Sequence, residues 1–408
     1  MPEKIKKILI LTADAGFGHR SAANAVAEAF QDLYKQQVEV IIENPLDDKR
    51  TPFFLRDSQG DYDKWIKSVP ELYRFGYEAS DSRIPTYIIE NALTVLLFEV
   101  IRDIIKKYQP DAIITTYLLY QPAISAVLTI WNLNIPFSTV VTDLATVHRL
   151  WFFKDVDLCF APTEEVYALA VEYGMDVEKI KITGIPVSPK ITKKEKSKAE
   201  IRKQLDLDPE LTTILVVGSS RVKNIENVLA VINHFGKKVQ LIVVAGKDKV
   251  LYKKLLEVDW HIPIKRIEYS SEMPMLMQAS DFIVSKAGGL IVTESLAAGL
   301  PMMLVDVLPG QEEGNADYVV KNNAGERVES TLEMLQTLYH WTADDNRMLG
   351  VLSENCLLIG KENAAYDVAQ IVFQETERDA MWQFNTRSKR RLSLIDLLSR
   401  FQIDWQER

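Results

Sequence analysis

Ile8-Leu9-Ile10-Leu11-Thr12-Ala13-Asp14-Ala15-Gly16-Phe17-Gly18-His19-Arg20-Ser21 decides how this chain folds. Its first residues form a continuous β-branched and aliphatic run, the pattern of a strand buried on both faces of a parallel sheet. Gly16 and Gly18 then let the backbone turn tightly and approach a ligand without Cβ obstruction. Helical spacing follows over residues 22–30. Strand, glycine turn and helix in that order open a βαβ unit, and sheets of this kind bind ligands at the carboxyl ends of their strands. A dinucleotide fingerprint fits poorly, because the third glycine is missing and His19 stands after the second. In the same reading no acidic residue closes the second strand at 38–42, Glu43 lying past Ile42. His19 sits where the helix begins, and the positive end of the helix dipole disfavours imidazolium. A neutral ring is what a general base requires; the competing reading is a histidine that caps its own loop.

Working outward, the same alternation recurs. Strands are expected at residues 5–12, 38–42, 111–115, 137–141 and 157–160, then at 213–217, 239–244, 264–267, 281–284 and 302–305. Helical patterns separate them, the mark of α/β architecture. Residues 184–209 are lysine-rich and polar behind Pro186 and Pro189, so they read as the connection between domains. A chain of 408 residues exceeds one typical core. The expected organisation is a Rossmann-like domain over 1–185, a second over 186–375 and a helical extension over 376–408, with a cleft between the domains.

The second domain carries its own glycine turn. Ser285-Lys286-Ala287-Gly288-Gly289 follows a strand and opens a helix, so free backbone N–H groups there suit a diphosphate. Glu294, in the first turns of that helix, offers acceptors for the paired hydroxyls of a ribose, or serves as a dipole partner. Gln311, Glu312 and Asn315 cluster at the start of the next helix, as readers of sugar hydroxyls or as a polar loop and cap. Asp155-Val156-Asp157 has the form of a metal-binding DxD but begins a strand, so no metal site is read there.

These segments together resemble the monogalactosyldiacylglycerol synthase and processive diacylglycerol glucosyltransferase family. The chain is more distantly similar to the N-acetylglucosaminyltransferase that completes lipid II. The resemblance spans roughly residues 5–375. It rests on the Gly-x-Gly-His loop with Arg20, on Val140-Val141-Thr142-Asp143-Leu144-Ala145-Thr146-Val147-His148 with Trp151, and on Ile182-Thr183-Gly184-Ile185-Pro186-Val187. Lys286-Ala287-Gly288-Gly289 with Glu294, and Pro309-Gly310-Gln311-Glu312 with Gly314 and Asn315, complete it. The family implies a GT-B fold of two doubly wound domains, with the lipid acceptor on the first and a UDP-sugar on the second. It implies His19 and Asp143 as catalytic residues and inversion at the anomeric carbon. Gly16, Gly18, Ser219, Arg221, Lys286, Ala287, Gly288, Gly289, Glu294, Gln311, Glu312 and Asn315 would surround the donor, UDP-glucose or UDP-galactose. His148 and Trp151 fall on the acceptor side, His148 alternatively being structural. Two positions depart from the family: Ile291 replaces a hydroxyl residue, and Gly218-Ser219-Ser220-Arg221 replaces a more glycine-rich turn in which Arg221 adds a charge. No cofactor is implied, and no metal is strictly needed when a helix dipole meets the charge growing on UDP.

A diacylglycerol acceptor stays in the bilayer, so the enzyme must dock on an anionic membrane surface. The aromatic-rich stretch 51–77 places Phe53, Phe54, Trp65 and Tyr73 among Arg56, Lys64, Lys67 and Arg74, a combination suited to a membrane interface or to a packed core. Near the end, Arg387, Lys389, Arg390 and Arg391 precede an apolar stripe at Leu394, Leu397, Leu398 and Phe401, which suits anionic lipid or packing against the first domain. The net charge of −9 argues against nucleic acid. The two cysteines, Cys159 and Cys356, lie among apolar neighbours as buried thiols. No signal-peptide pattern and no spanning apolar run is read, so the expected location is cytoplasmic, peripheral to the cytoplasmic membrane. Two other functions fit parts of the pattern: a UDP-sugar epimerase of the same fold, and a non-catalytic UDP-sugar-binding protein. No residue pattern speaks to oligomeric state.

Overall fold

The computed structural model describes residues 4–15, 18–56, 83–193, 195–218, 224–246, 248–308 and 311–377. The first sheet contains β1 (Lys6–Leu11), β2 (Val38–Glu43), β3 (Ala112–Thr115), β4 (Phe137–Val140), β5 (Leu158–Ala161) and β6 (Ile180–Ile182) in the order β2-β1-β3-β4-β5-β6. The second contains β7 (Thr212–Val217), β8 (Val239–Val244), β9 (Ile264–Ile267), β10 (Phe282–Ser285), β11 (Met302–Leu304) and β12 (Gly325–Arg327), ordered β12-β11-β10-β7-β8-β9. Neighbouring strands are parallel throughout, for example β1 with Ile8 opposite both Val40 and Ala112. Both sheets reverse their strand order once, between β1 and β3 and between β7 and β10, which are the points where doubly wound sheets hold ligands.

Five helices matter to the site: α1 (Gly18–Tyr34), α2 (Arg83–Tyr108), α3 (Gly289–Ala298), α4 (Gln311–Lys321) and α5 (Ala364–Glu375). Successive residues of β1 point to opposite faces. Ile8 and Ile10 pack with Ala23, Val26 and Phe30 of α1, whereas Leu9 and Leu11 join Leu97 and Ile101 of α2 and Trp151. Alanines along the buried face of α1 let that helix lie close to the sheet.

Two strands escape the sequence reading, β6 and β12, each of three residues. The strand read to end at Ile42 runs on to Glu43, which pairs with Leu11. An acidic residue therefore does close β2, but its carboxylate accepts from Tyr108 and faces Lys107, so it is engaged within the fold. Ala365, Val368, Ala369 and Val372 of α5 enter the core built on Ile8 and Ile10, and Tyr34 stacks on Phe373 at 3.8 Å. Residues read as part of the second domain thus complete the first. The chain crosses between domains twice, and the crossings meet at Gly184. Its φ is +91°, and a Cβ there would lie 2.7 Å from Lys361 Cγ.

Phe53 and Phe54 are exposed, at 68% and 53%, while Leu55 turns into the core. Trp65, Tyr73 and the basic stripe at 387–401 lie outside the described residues. Among the described residues no helix is long and apolar enough to cross a membrane.

Candidate active site

At the β1–β3 switch point, Thr116 follows β3 and its hydroxyl donates to the His19 carbonyl at 3.0 Å, 2.8 Å from Thr12 Oγ1. Arg20 forms a two-pronged ion pair with Asp14 at 2.8 and 3.0 Å, and Asn44 donates to Asp14 at 3.3 Å. The Arg20 guanidinium holds the Asp14 carboxyl below its ordinary range. This clasp joins the two flanks of the glycine turn. Gly16 itself lies outside the described residues, and Gly18 is the first residue of α1.

His19 is half-buried, with Nδ1 2.7 Å from Thr142 Oγ1 and its ring edge-on to Tyr117 at 5.0 Å. Burial pushes its pKa below the ordinary value, more than the negative charge of Asp143 and a backbone hydrogen bond with Thr116 raise it. The ring is therefore neutral at pH 7, and desolvation is the cause. Asp143 follows Thr142 directly, and its Oδ2 accepts from Trp151 Nε1 at 2.7 Å.

Trp151 and His148, expected on the acceptor side, are both buried. Trp151 is 0% exposed, and its indole N–H supports the Asp143 carboxylate. His148 is buried, and its Nδ1 accepts from Leu150 N at 3.1 Å, capping the turn Arg149–Trp151. It shapes the turn that presents the tryptophan.

At the β7–β10 switch point, Gly288 caps α3 without any side-chain hydrogen bond, leaving the first N–H groups of the helix open to an anion. Lys286 precedes this turn and pairs with Glu312 of α4, whose other oxygen accepts from Leu308 N at 3.1 Å. Asn315 Nδ2 donates to the Ala287 carbonyl at 3.0 Å. Read from the sequence as a donor contact, Asn315 is buried and braces the phosphate turn through that bond. The side chain of Gln311, and Ser219 and Arg221, lie outside the described residues. Ile291 packs its hydrocarbon against the second-domain core. The DxD carboxylates serve the fold: Asp155 accepts from Ser125 at 3.0 Å and Asp157 from Phe137 N at 2.8 Å.

Glu294 is 9% exposed, and burial pushes its carboxyl up to about 8. No hydrogen bond to it is seen among the described residues. The protein retains this proton where the unfolded chain has lost it, between an ordinary carboxyl value of 4.5 and about 8. Stability is therefore fully present below that window, falls as pH rises through it, at up to about 1.4 kcal/mol per pH unit, and levels off above. Denaturant unfolding across this pH range is expected to show the slope, and Glu294→Gln to flatten it.

Sequence reasoning missed the Asp14–Arg20 clasp and the Thr142 hydroxyl. The first had a visible signal in opposite charges flanking a glycine turn. The second had none, since Thr142 and His19 are 123 residues apart.

Comparison with known proteins places these features in a family. Residues 19–187 match the family described as Monogalactosyldiacylglycerol (MGDG) synthase, and residues 213–346 match the Glycosyltransferase family 28 C-terminal domain. The chloroplastic monogalactosyldiacylglycerol synthase of Spinacia oleracea is 32% identical over 377 residues, 90% of this chain and 72% of that protein. Chloroplastic monogalactosyldiacylglycerol synthase 3 of Arabidopsis thaliana is 32% identical over 381 residues, 90% of this chain and 81% of its own length. Among solved structures, Acinetobacter baumannii MurG superposes with a TM-score of 0.58 at 13% identity, covering 90% of this chain and 99% of its own. A UDP-GlcNAc 2-epimerase from Neisseria meningitidis gives 0.59 at 14% identity, covering 90% of this chain and all of its own. Transferase and epimerase structures fit equally well, so they establish the two-domain GT-B fold and leave the chemistry to the sequence family. The chain belongs to the monogalactosyldiacylglycerol synthase family and is a glycosyltransferase.

Proposed function

We propose that this protein transfers glucose or galactose from the UDP-sugar to the free hydroxyl of diacylglycerol, with inversion and without a metal, on an anionic membrane surface. The observation that carries the reading is the meeting of the two switch points. Gly289 of the phosphate turn lies against the backbone carbonyl of Thr142, 3.7 Å from where its Cβ would stand. Thr142 in turn contacts the His19 ring and precedes Asp143. A diphosphate held by the free amides of α3 would then lie beside a neutral imidazole and a carboxylate.

In the proposed step the acceptor oxygen attacks the anomeric carbon while His19 takes the hydroxyl proton. The bond from that carbon to the diphosphate oxygen breaks on the opposite face, and UDP leaves with the electron pair. Asp143 stabilises the imidazolium and the positive charge that develops on the sugar ring. The charge on UDP meets the N-terminal amides of α3 and the Lys286 ammonium, so the leaving group needs no further cation. Glu294 would accept from the ribose hydroxyls, and Gln311 with Glu312 would read the sugar. Ser219 and Arg221 would close the donor site. Exposed Phe53 and Phe54 would enter the interface of the cytoplasmic membrane from its side, with Trp65 and Tyr73 contributing to the same surface.

Liposomes containing diacylglycerol and anionic phospholipid, offered UDP-glucose or UDP-galactose, test the reading. The expected product is a glycosyldiacylglycerol of β configuration from an α-linked donor, formed equally fast with a chelator present. A UDP-sugar epimerised in the absence of lipid, with no glycolipid formed, would replace this reading by the isomerase one.

A further inference from the structure

The loop that bears Asp143 belongs to the first domain in sequence but is seated on the second. Leu144, 4% exposed, lies in the same buried cluster as Ala287, Val292 and Ala316. Thr142 rests its carbonyl over Gly289. Two residues past Leu144, Thr146 packs directly onto Gly314 of α4. A Cβ at Gly314 would collide with Thr146 Oγ1 and lie 3.4 Å from Thr146 N and 3.5 Å from Ala145 Cβ. Loop residues from 142 to 146 therefore contact both helices that open onto the donor side, and the tightest contact exists because residue 314 has no side chain.

We infer that Gly314 is a positioning residue: it is the socket in which the 142–146 loop seats, so the donor domain sets the place of Asp143. This rests on the proposed role of Asp143 in sugar transfer. Nothing in the secondary structure of α4 asks for glycine at this point. Gly314 lies inside a helix that runs on to Lys321, where alanine is the better helix former. The glycine is accounted for by the approach of Thr146. A methyl group at 314 would force the Thr146 side chain to give way, and if the loop shifts with it by about an ångström, displacement on that scale costs on the order of 10²-fold in rate when it moves a reacting group. Seating would also link the carboxylate to closure of the cleft, so that the complete catalytic couple forms only when the donor domain is in place.

The test is a steric cycle in the full-length protein. Gly314→Ala is expected to lower kcat on diacylglycerol liposomes by roughly 10- to 100-fold, while calorimetric UDP affinity and thermal stability stay at wild-type levels. Adding Thr146→Ala removes the colliding atoms, and the double variant is expected to recover to the level of Thr146→Ala alone. Thr146→Leu, which fills the socket from the opposite side, should reproduce the loss and guards against a folding defect particular to position 314. Wild-type turnover in Gly314→Ala, or a loss that Thr146→Ala fails to relieve, overturns the socket. Asp143→Asn, assayed alongside, separates the two claims: if it turns over normally the catalytic reading fails, whatever the steric cycle shows.

Discussion

Replacing His19 by alanine is expected to lower kcat for glycolipid formation by about 10³-fold, within the range general-base catalysis contributes, with UDP affinity unchanged. The imidazole contacts Thr142 and Tyr117 of the first domain, and in the proposed site the nucleotide is held by the second. Asp143→Asn should bring a loss of similar order, because it keeps an acceptor for Trp151 Nε1 while removing the charge that stabilises imidazolium. The pH profile supplies an independent check. Burial lowers the His19 pKa below its ordinary 6.5, so the ring is already unprotonated at neutrality. Activity is expected to be flat around pH 7 and to fall on the acid side only below 6.5, an acid limb that His19→Ala should abolish. Stopped assays of UDP release over pH 5 to 8 read both effects. A limb centred above 7 would mean that another group takes the proton.

The second large effect concerns Glu294, whose carboxyl is protonated at neutral pH in the free protein. Two ribose hydroxyls donating to it would restore the solvation lost on burial and favour the carboxylate in the complex, where hydrogen bonds to a charged acceptor contribute about 1.5–3 kcal/mol each. Glu294→Gln offers one acceptor oxygen and presents N–H groups to the other hydroxyl. UDP is therefore expected to bind roughly 30- to 100-fold more weakly, with kcat at saturating donor changed little. The same substitution removes a carboxyl that is costly to ionise, so the nucleotide-free variant should be the more stable protein above pH 8. Calorimetric titration with UDP and denaturant unfolding at that pH measure the two halves. Tighter binding would remove Glu294 from the ribose, and lower stability would contradict the cost of its buried charge.

Much of this architecture is legible in the residue order. Val239–Val244 is a strand with the bounds its β-branched run suggests, because burial on both faces leaves an apolar stretch with polar ends. Three-residue strands such as Ile180–Ile182 carry no period to read, and they exist because a neighbouring strand supplies the hydrogen bonds. The packing of Ala365 and Val368 against Ile8 is invisible for another reason: any apolar helical face could cover any open sheet, and only three-dimensional closure selects the pair. At the site, the motifs locate His19, Asp143 and Glu294, yet they do not separate groups that touch substrate from groups that support them. Trp151 and His148 stand in the same stretch as Asp143, and only the structure shows Trp151 buried beneath it and bonded to its carboxylate, with His148 capping the turn that presents the indole. Gly314 reads as one glycine of a polar loop until Thr146, from 168 positions earlier in the numbering, is found against it.

A crystal structure of the protein with UDP bound would show whether the nucleotide meets the His19–Asp143 couple. The account places the diphosphate on the amides of Gly288 and Gly289, the ribose hydroxyls on Glu294, and the terminal phosphate opening toward His19 and Asp143. A nucleotide bound with its phosphates away from that turn, leaving the imidazole and the carboxylate facing empty solvent, would contradict it.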